Sequence, residues 1–276
     1  ILNICDQPEN VVRSVSRLLG CKWEDLDPVY FGLNHYGWFT HVYDAHTGED
    51  LLPKVREMVK EKGFLPQDAE QRDQSWLDTY GMVQTIMADF PEFLPNTYDQ
   101  YYLYPDYKVS HLDPNFTRAD EVMAGREKRV FTECAEVIKE GKLGDKFHAI
   151  SDAHAEMMIK VAEAIAYNKN DRHILIVENN GAIANMQDDA MVEVVCELGI
   201  NGPRPMRVGN IPQFNLGLLV NQVSCEKLIV DAYFENSYQK ALEAFTLNRL
   251  INDAKKARKV LDALIEANKG MWPELR

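Results

Sequence analysis

The sequence has no long apolar run, no glycine-rich phosphate loop, no paired cysteines and no histidines at metal-motif spacing. Each absence removes a class of function. Without about 18 consecutive apolar residues there is no transmembrane helix. No basic, apolar, small-residue leader opens the chain, so nothing marks secretion. Neither GxGxxG nor GxxxxGKS/T occurs, so no visible loop cradles a nucleotide phosphate. Cys5, Cys21, Cys134, Cys196 and Cys225 are scattered, with no CxxC pair. That argues against a disulfide framework and a four-cysteine zinc site, and suits a reducing, cytoplasmic compartment. The seven histidines make no HxxxH or HExxH. Positive charge is scarce: 30 Lys and Arg stand against 43 Asp and Glu, a formal net charge of −13. Such a surface repels nucleic acid and anionic membranes on average, while a local basic pocket for a small anion stays open.

What is present is an ordinary globular composition. The 276 residues are 46% hydrophobic and 26% charged, enough to bury a sizeable core. The chain begins Ile-Leu-Asn-Ile-Cys, without Met, which reads as the middle of a buried strand and raises the expectation of a piece of something longer. Ile1 to Cys5 is predicted as a strand, and Pro8 to Leu19 as a helix stopped by Gly20. Strands are expected at Val29 to Leu33 and Trp38 to Tyr43, joined through Asn34-His35-Tyr36-Gly37. Helices follow over Leu51 to Lys62 and Asp68 to Phe90, then a proline- and tyrosine-rich stretch with short helical pieces. Long helices are predicted from Thr117 to Gly141 and from Ser151 to Asn168. Short strands are expected at His173 to Val177 and Met191 to Cys196, and two helices over Leu218 to Thr246 and Asp253 to Asn268. The sum is an α+β chain, mostly helical, with small strand groups on one side.

Few residues stand out chemically, and each has a plain alternative. Cys5 and Asp6 end the first predicted strand, where ligand crevices form in open sheets. A thiolate is a soft metal ligand and a carboxyl beside it can act as acid or base; equally, Cys5 is a small buried hydrophobe and Asp6 a helix cap. His35 is a metal ligand or a hydrogen-bonded structural histidine. His173 reads as structural, and His154 is open. Tyr98 is packing unless something lowers its pKa from about 10, as a divalent cation does. Arg118 and Arg126 lie eight apart, just over two helical turns, and so share a face. They bind an anion, or form surface ion pairs with Asp120 or Glu127. Glu178-Asn179-Asn180-Gly181 lines a cleft or makes a turn.

Taken in order, several stretches are similar to one family. They are Ile-Cys-Asp-Gln-Pro at 4–8, Tyr-Phe-Gly-Leu-Asn-His-Tyr-Gly-Trp at 30–38, Leu-Pro-Asn-Thr-Tyr-Asp-Gln-Tyr-Tyr-Leu at 94–103 and Asn-Phe-Thr-Arg-Ala-Asp-Glu-Val-Met-Ala-Gly-Arg-Glu at 115–127. Ala-Ile-Ala-Tyr-Asn at 164–168, Val-Glu-Asn-Asn-Gly-Ala-Ile-Ala-Asn at 177–185 and Glu-Ala-Asn-Lys-Gly-Met-Trp-Pro-Glu-Leu at 266–275 complete the set. Together they resemble the NAD-dependent glycoside hydrolases of family four. Asp6, in Cys-Asp-x-Pro, points to the branch acting on 6-phospho-α-glucosides such as maltose 6′-phosphate. Gln7 departs from the more usual Met of that motif.

The resemblance implies a fold like the C-terminal domain of lactate dehydrogenases over residues 1–276, with 1–20 resembling the end of an N-terminal NAD-binding Rossmann domain that this chain lacks. It implies NAD and a divalent metal, usually Mn²⁺, as cofactors, and a redox elimination and addition that releases glucose 6-phosphate. Cys5 and His35 would hold the metal. Tyr98 would be the base at C2, and Asp6 the acid to the leaving oxygen. Arg118 would bind the substrate phosphate, with Asn34 and Arg126 lining the site; cofactor-binding residues are not identified in this chain. The implied partners are a phosphorylated disaccharide and further copies of the chain, as a homodimer or homotetramer. Two rivals stand beside this reading: a structural or oligomerisation domain without catalysis, and a 6-phospho-β-glucosidase of the same family. A hydroxyacid dehydrogenase domain is disfavoured by Cys-Asp-x-Pro together with Asn-His-x-Gly-Trp.

Overall fold

The computed structural model describes residues 2–66, 69–71, 74–142 and 152–276, without the side chains of 71, 126 and 152–154. The predicted helix start at Ser151, the side chain of Arg126 and that of His154 therefore lie outside the described residues.

The chain opens with helix α1 (Gln7–Leu19), then strands β1 (Leu26–Leu33) and β2 (Tyr36–Asp44). Helices α2 (Leu52–Lys62) and α3 (Gln74–Asp89) lead to the short strand β3 (Leu94–Pro95). Short helices α4 (Asp99–Leu103), α5 (Pro105–Ser110) and α6 (Arg118–Val122) follow. A π turn (Met123–Glu127) joins α6 to α7 (Lys128–Glu140), and α8 (Asp152–Ala166) follows. Strands β4 (Asp171–Glu178), β5 (Met191–Gly199) and β6 (Gly202–Pro205) precede α9 (Gln213–Glu235), α10 (Tyr238–Leu247) and α11 (Ala254–Ala267).

The strands are not separate groups. They form one antiparallel sheet in the order β3-β2-β1-β5-β4, with β6 on β5. The β1–β5 join is only a few residues long, pairing Phe31 with Val194 and Gly32 with Glu193. Side-chain alternation then assigns two faces. Phe31, Leu33, Tyr36, Trp38, Val192 and Val194 enter one core, closed by Val161 and Ala164 of α8 and Leu218 and Leu219 of α9. Tyr30, Phe39 and Val195 enter the other, closed by Val11 and Val15 of α1, Val55 and Val59 of α2, and Val83 of α3. Thr40 is the extra residue in the β1–β2 register shift, which returns Val42 to the face of Phe39. Each such fully buried side chain contributes about 1.5–3 kcal/mol.

Several boundaries differ from expectation for local reasons. The first predicted strand reduces to a single bridge, Asn3 to Ile176, because α1 begins at Gln7. The predicted 218–246 helix breaks where Asn236 turns left-handed (φ 54°) and Ser237 caps α10 by accepting from the Lys240 N–H. The predicted 117–141 helix is interrupted by the π turn, after Thr117 and Asp120 close a capping box. Among the described residues no helix is long and apolar enough to cross a membrane.

Candidate functional site

The sheet register gathers the candidate residues at one end. Gly32 lies opposite Glu193, Glu193 opposite Ile176, and Ile176 opposite Asn3. Four chain segments thus share one row, and Cys5, Asp6 and His35 lie just beyond it. β3 pairs with β2 through Trp38–Pro95 and Phe39–Leu94, which delivers Asn96, Thr97 and Tyr98 to the same end.

There Cys5 Sγ lies 3.0 Å from His35 Nε2. Burial pushes the Cys5 thiol up to about 12, against the pull of the Gln7 N–H at 3.5 Å. Burial also lowers His35, and only the Asp6 charge works the other way. Burial thus disfavours charge on both groups, and the sulfur and the ring nitrogen stand within hydrogen-bond distance of each other. Among the described residues, no group of three or more His, Cys, Asp or Glu side chains converges as a metal site. Cys5 and His35 thus meet as a pair without a third such side chain among the described residues.

His35 occupies the two-residue turn between β1 and β2 at φ 126°. That region favours glycine, and an L residue there costs about 1–3 kcal/mol.

Asp6 stands at the N-cap position of α1 with helical dihedrals and makes no side-chain cap bond. Its Oδ2 accepts from Asn10 Nδ2 at 2.8 Å. The Tyr98 ring packs on His35, 4.8 Å between centroids, and on Trp76 and Tyr101. Burial moves the Tyr98 phenol upward, and Tyr101 and Asp6 add to the rise. Gln7, buried at the start of α1, donates its Nε2 to Thr97 Oγ1 and so ties the Cys5–Asp6 turn to the Tyr98 turn.

Arg118 is half-buried and pairs with Glu121 at 2.5 Å. Its guanidinium lies 5.8 Å from the Trp76 ring, which lies 6.0 Å from the Tyr98 ring. It is therefore two rings from Tyr98, on the same side of the molecule. Arg126 lies in the π turn, and Asn34 is exposed beside His35 in the hairpin turn. Asn179 makes a turn and not a cleft. It is fully buried, Nδ2 donates to Ile183 O, Met186 O and Gln187 O, and Oδ1 accepts the Ile183 N–H at 2.7 Å.

Residue patterns did not single out the two carboxyls beneath this end. Asp99 Oδ1 accepts the Gly37 N–H at 3.1 Å, and burial holds the carboxyl well above its usual range. Glu193 Oε2 accepts from the Tyr30 hydroxyl at 3.1 Å, and burial moves its pKa from 4.5 to about 8. The available signal was a charge at an inward position of a strand buried on both faces.

Glu193 has a measurable consequence. The unfolded chain releases this proton near pH 4.5 and the folded chain near 8. The contribution to stability is full below 4.5, declines as pH rises, and is lost by about 8. Relative to Glu193→Gln, the unfolding free energy of the wild type should fall by about 3 kcal/mol between pH 5 and 7. Denaturant titrations of both proteins at the two pH values check this, and parallel changes would show Glu193 ionised in the fold.

Residues 30–251 match the family 4 glycosyl hydrolase C-terminal domain. The chain is 47% identical to a maltose-6′-phosphate glucosidase of Bacillus subtilis, across 100% of this chain and 61% of that protein. It is also 47% identical to a 6-phospho-α-glucosidase of Leptotrichia buccalis, across 100% of this chain and 63% of that one. A crystal structure of a 6-phospho-α-glucosidase from gut microorganisms, in complex with NAD and Mn²⁺, superposes with a TM-score of 0.96 at 81% identity, covering 100% of this chain and 63% of that one. A second, in complex with NAD and glucose-6-phosphate, gives 0.92 at 45%, with the same coverage. The chain thus spans less than two thirds of the length of these relatives. With the family match running over most of its length, the chain belongs to the family 4 glycosyl hydrolases, as the C-terminal part of such a protein.

Proposed function

We propose that the full-length protein hydrolyses 6-phospho-α-glucosides, maltose 6′-phosphate among them, to glucose 6-phosphate. The observation that carries this reading is the convergence of Cys5, Asp6, His35 and Tyr98, with Cys5 Sγ 3.0 Å from His35 Nε2. The relatives support it: those 43–47% identical are maltose-6′-phosphate or phospho-α-glucosidases, whereas the 6-phospho-β-glucosidases are 27–28% identical.

The donors fit a divalent cation. A thiolate and an imidazole are nitrogen and sulfur ligands of ordinary type, and the two atoms already face each other. Cys5 and His35 would hold it, and when bound it supplies Lewis-acid polarisation of a sugar oxygen. NAD, when bound, supplies a site that accepts and returns a hydride; we place its binding in the part of the full-length protein outside this chain. Tyr98 takes the proton from the sugar carbon next to the anomeric centre. Asp6, at the mouth of α1, gives a proton to the departing glycosidic oxygen. Arg118 meets the 6-phosphate, leaving its surface pair with Glu121, an exchange that costs little at a half-exposed site. This differs from the usual glycosidase, in which two carboxylates flank the bond.

The test is release of nitrophenol from the α- and β-anomers of nitrophenyl glucoside 6-phosphate by the full-length protein with Mn²⁺, with and without NAD. Activity on the α-anomer that requires NAD is expected. Faster turnover of the β-anomer would move the assignment to the other branch. Turnover by NAD-free protein would overturn the redox route.

A further inference from the structure

Beneath the turn carrying Tyr98 runs a buried polar chain that the roles above leave unused. Asn96 is fully buried and engages each of its polar groups. Its N–H donates to Gly37 O at 2.8 Å, and its carbonyl accepts the Asp99 N–H at 3.0 Å. Its Nδ2 donates to the Tyr30 hydroxyl at 3.3 Å, and its Oδ1 accepts the Tyr98 N–H at 3.0 Å. A hydroxyl carries one proton and two acceptor sites. Tyr30 can therefore accept from Asn96 while donating to Glu193 Oε2 at 3.1 Å.

The Tyr30 hydroxyl also abuts the strand that follows His35. A Cβ added at Gly37 would lie 2.4 Å from it. One buried oxygen is thus in contact with the strand leaving the His35 turn and bonded to the side chain that seats Tyr98. Packing alone does not call for it. Phe fills the same space in an apolar core, and a buried carboxyl with one oxygen unpartnered among the described residues is costly to keep.

We propose that Tyr30, anchored by Glu193, is a positioning residue that acts through Asn96 to fix the turn aiming Tyr98 at His35. Its kinetic consequence rests on the reading of Tyr98 as the base, whereas its effect on the turn does not. The experiment uses the full-length protein with NAD and Mn²⁺, comparing wild type, Tyr30→Phe and Glu193→Gln. Hydrogen exchange is followed in peptides spanning 94–103 and, as a control, in α9. In Tyr30→Phe the Tyr98 peptide should exchange about tenfold faster while α9 is unchanged. Its kcat on the nitrophenyl α-glucoside 6-phosphate should fall about tenfold with KM within about twofold. Glu193→Gln keeps an acceptor for the hydroxyl and should stay within about threefold of wild type on both measures.

Unchanged exchange in a folded Tyr30→Phe protein overturns the proposal, as does a loss of thermal stability with kcat intact. Faster exchange in a protein whose wild type does not turn over the substrate supports the positioning role and refutes the catalytic reading instead. Should Tyr30→Phe not fold, Glu193→Leu takes its place. It leaves the hydroxyl without an acceptor and should show the losses that Glu193→Gln avoids. Equal activity of the two Glu193 variants overturns the proposal.

Discussion

Tyr98→Phe in the full-length protein should lower kcat by about 10²–10⁴, the range for losing a positioned acid or base, with KM and thermal unfolding nearly unchanged. The asymmetry follows from what the ring and the oxygen do separately. The ring packs on His35, Trp76 and Tyr101, with centroids 4.8, 6.0 and 5.9 Å away, and Phe keeps all three contacts. The turn is held by backbone, through the Tyr98 N–H to Asn96 Oδ1, and Phe keeps that too. Only the phenol oxygen goes.

That oxygen is a poor base as the chain stands. Burial and the neighbours Tyr101 and Asp6 all push its pKa up. In the proposed reading the remedy lies one ring away, where Cys5 and His35 would hold a cation, and a cation's charge stabilises a phenolate. In that reading the base and the metal pair therefore act together. Steady-state kinetics with Mn²⁺ and NAD check the prediction. A kcat within about tenfold of wild type would take the proton-transfer role away from Tyr98.

How much of this was legible beforehand varies with the range of the forces involved. The hairpin was legible from its β-branched and aromatic residues, except that Tyr36 and Gly37, read as part of the connection, pair with Leu33 and Gly32 and so belong to β2. The stop of α1 was legible because Gly20 turns left-handed at φ 71°. Cys5, Asp6, His35 and Tyr98 were legible as types at turn positions. Their meeting was implied by the family resemblance alone, because it depends on Asn3 pairing Ile176 and Gly32 pairing Glu193. Such pairings join residues far apart in sequence, and no local pattern encodes them. Glu193 and Asp99 were invisible for a related reason. Carboxylates are read as solvent-facing unless a partner is known, and their partners, Tyr30 and Gly37, lie on other elements. The residues overlooked are those whose role exists only after the sheet has closed.

The second large effect concerns the metal pair. His35→Ala and Cys5→Ser should each weaken Mn²⁺ binding to the full-length protein by about 10²–10³, more than the 10–100-fold typical for losing a residue that merely supports a ligand. Titration by electron paramagnetic resonance measures free Mn²⁺ directly and does not depend on turnover. Serine is a fair test of Cys5 because it keeps the size and loses the soft, ionisable sulfur. The histidine variant separates function from stability. With φ at 126°, His35 holds a conformation that strains any L side chain. His35→Gly should therefore raise unfolding stability by about 1 kcal/mol while abolishing tight metal binding. A structural histidine would behave the other way, losing stability when its ring is removed. Equal Mn²⁺ affinity in wild type and both variants would remove the metal from this end of the sheet. A more stable glycine variant that no longer binds Mn²⁺ would mean that this turn is strained in order to carry a ligand, and that the strain is the mark the reaction leaves on the fold.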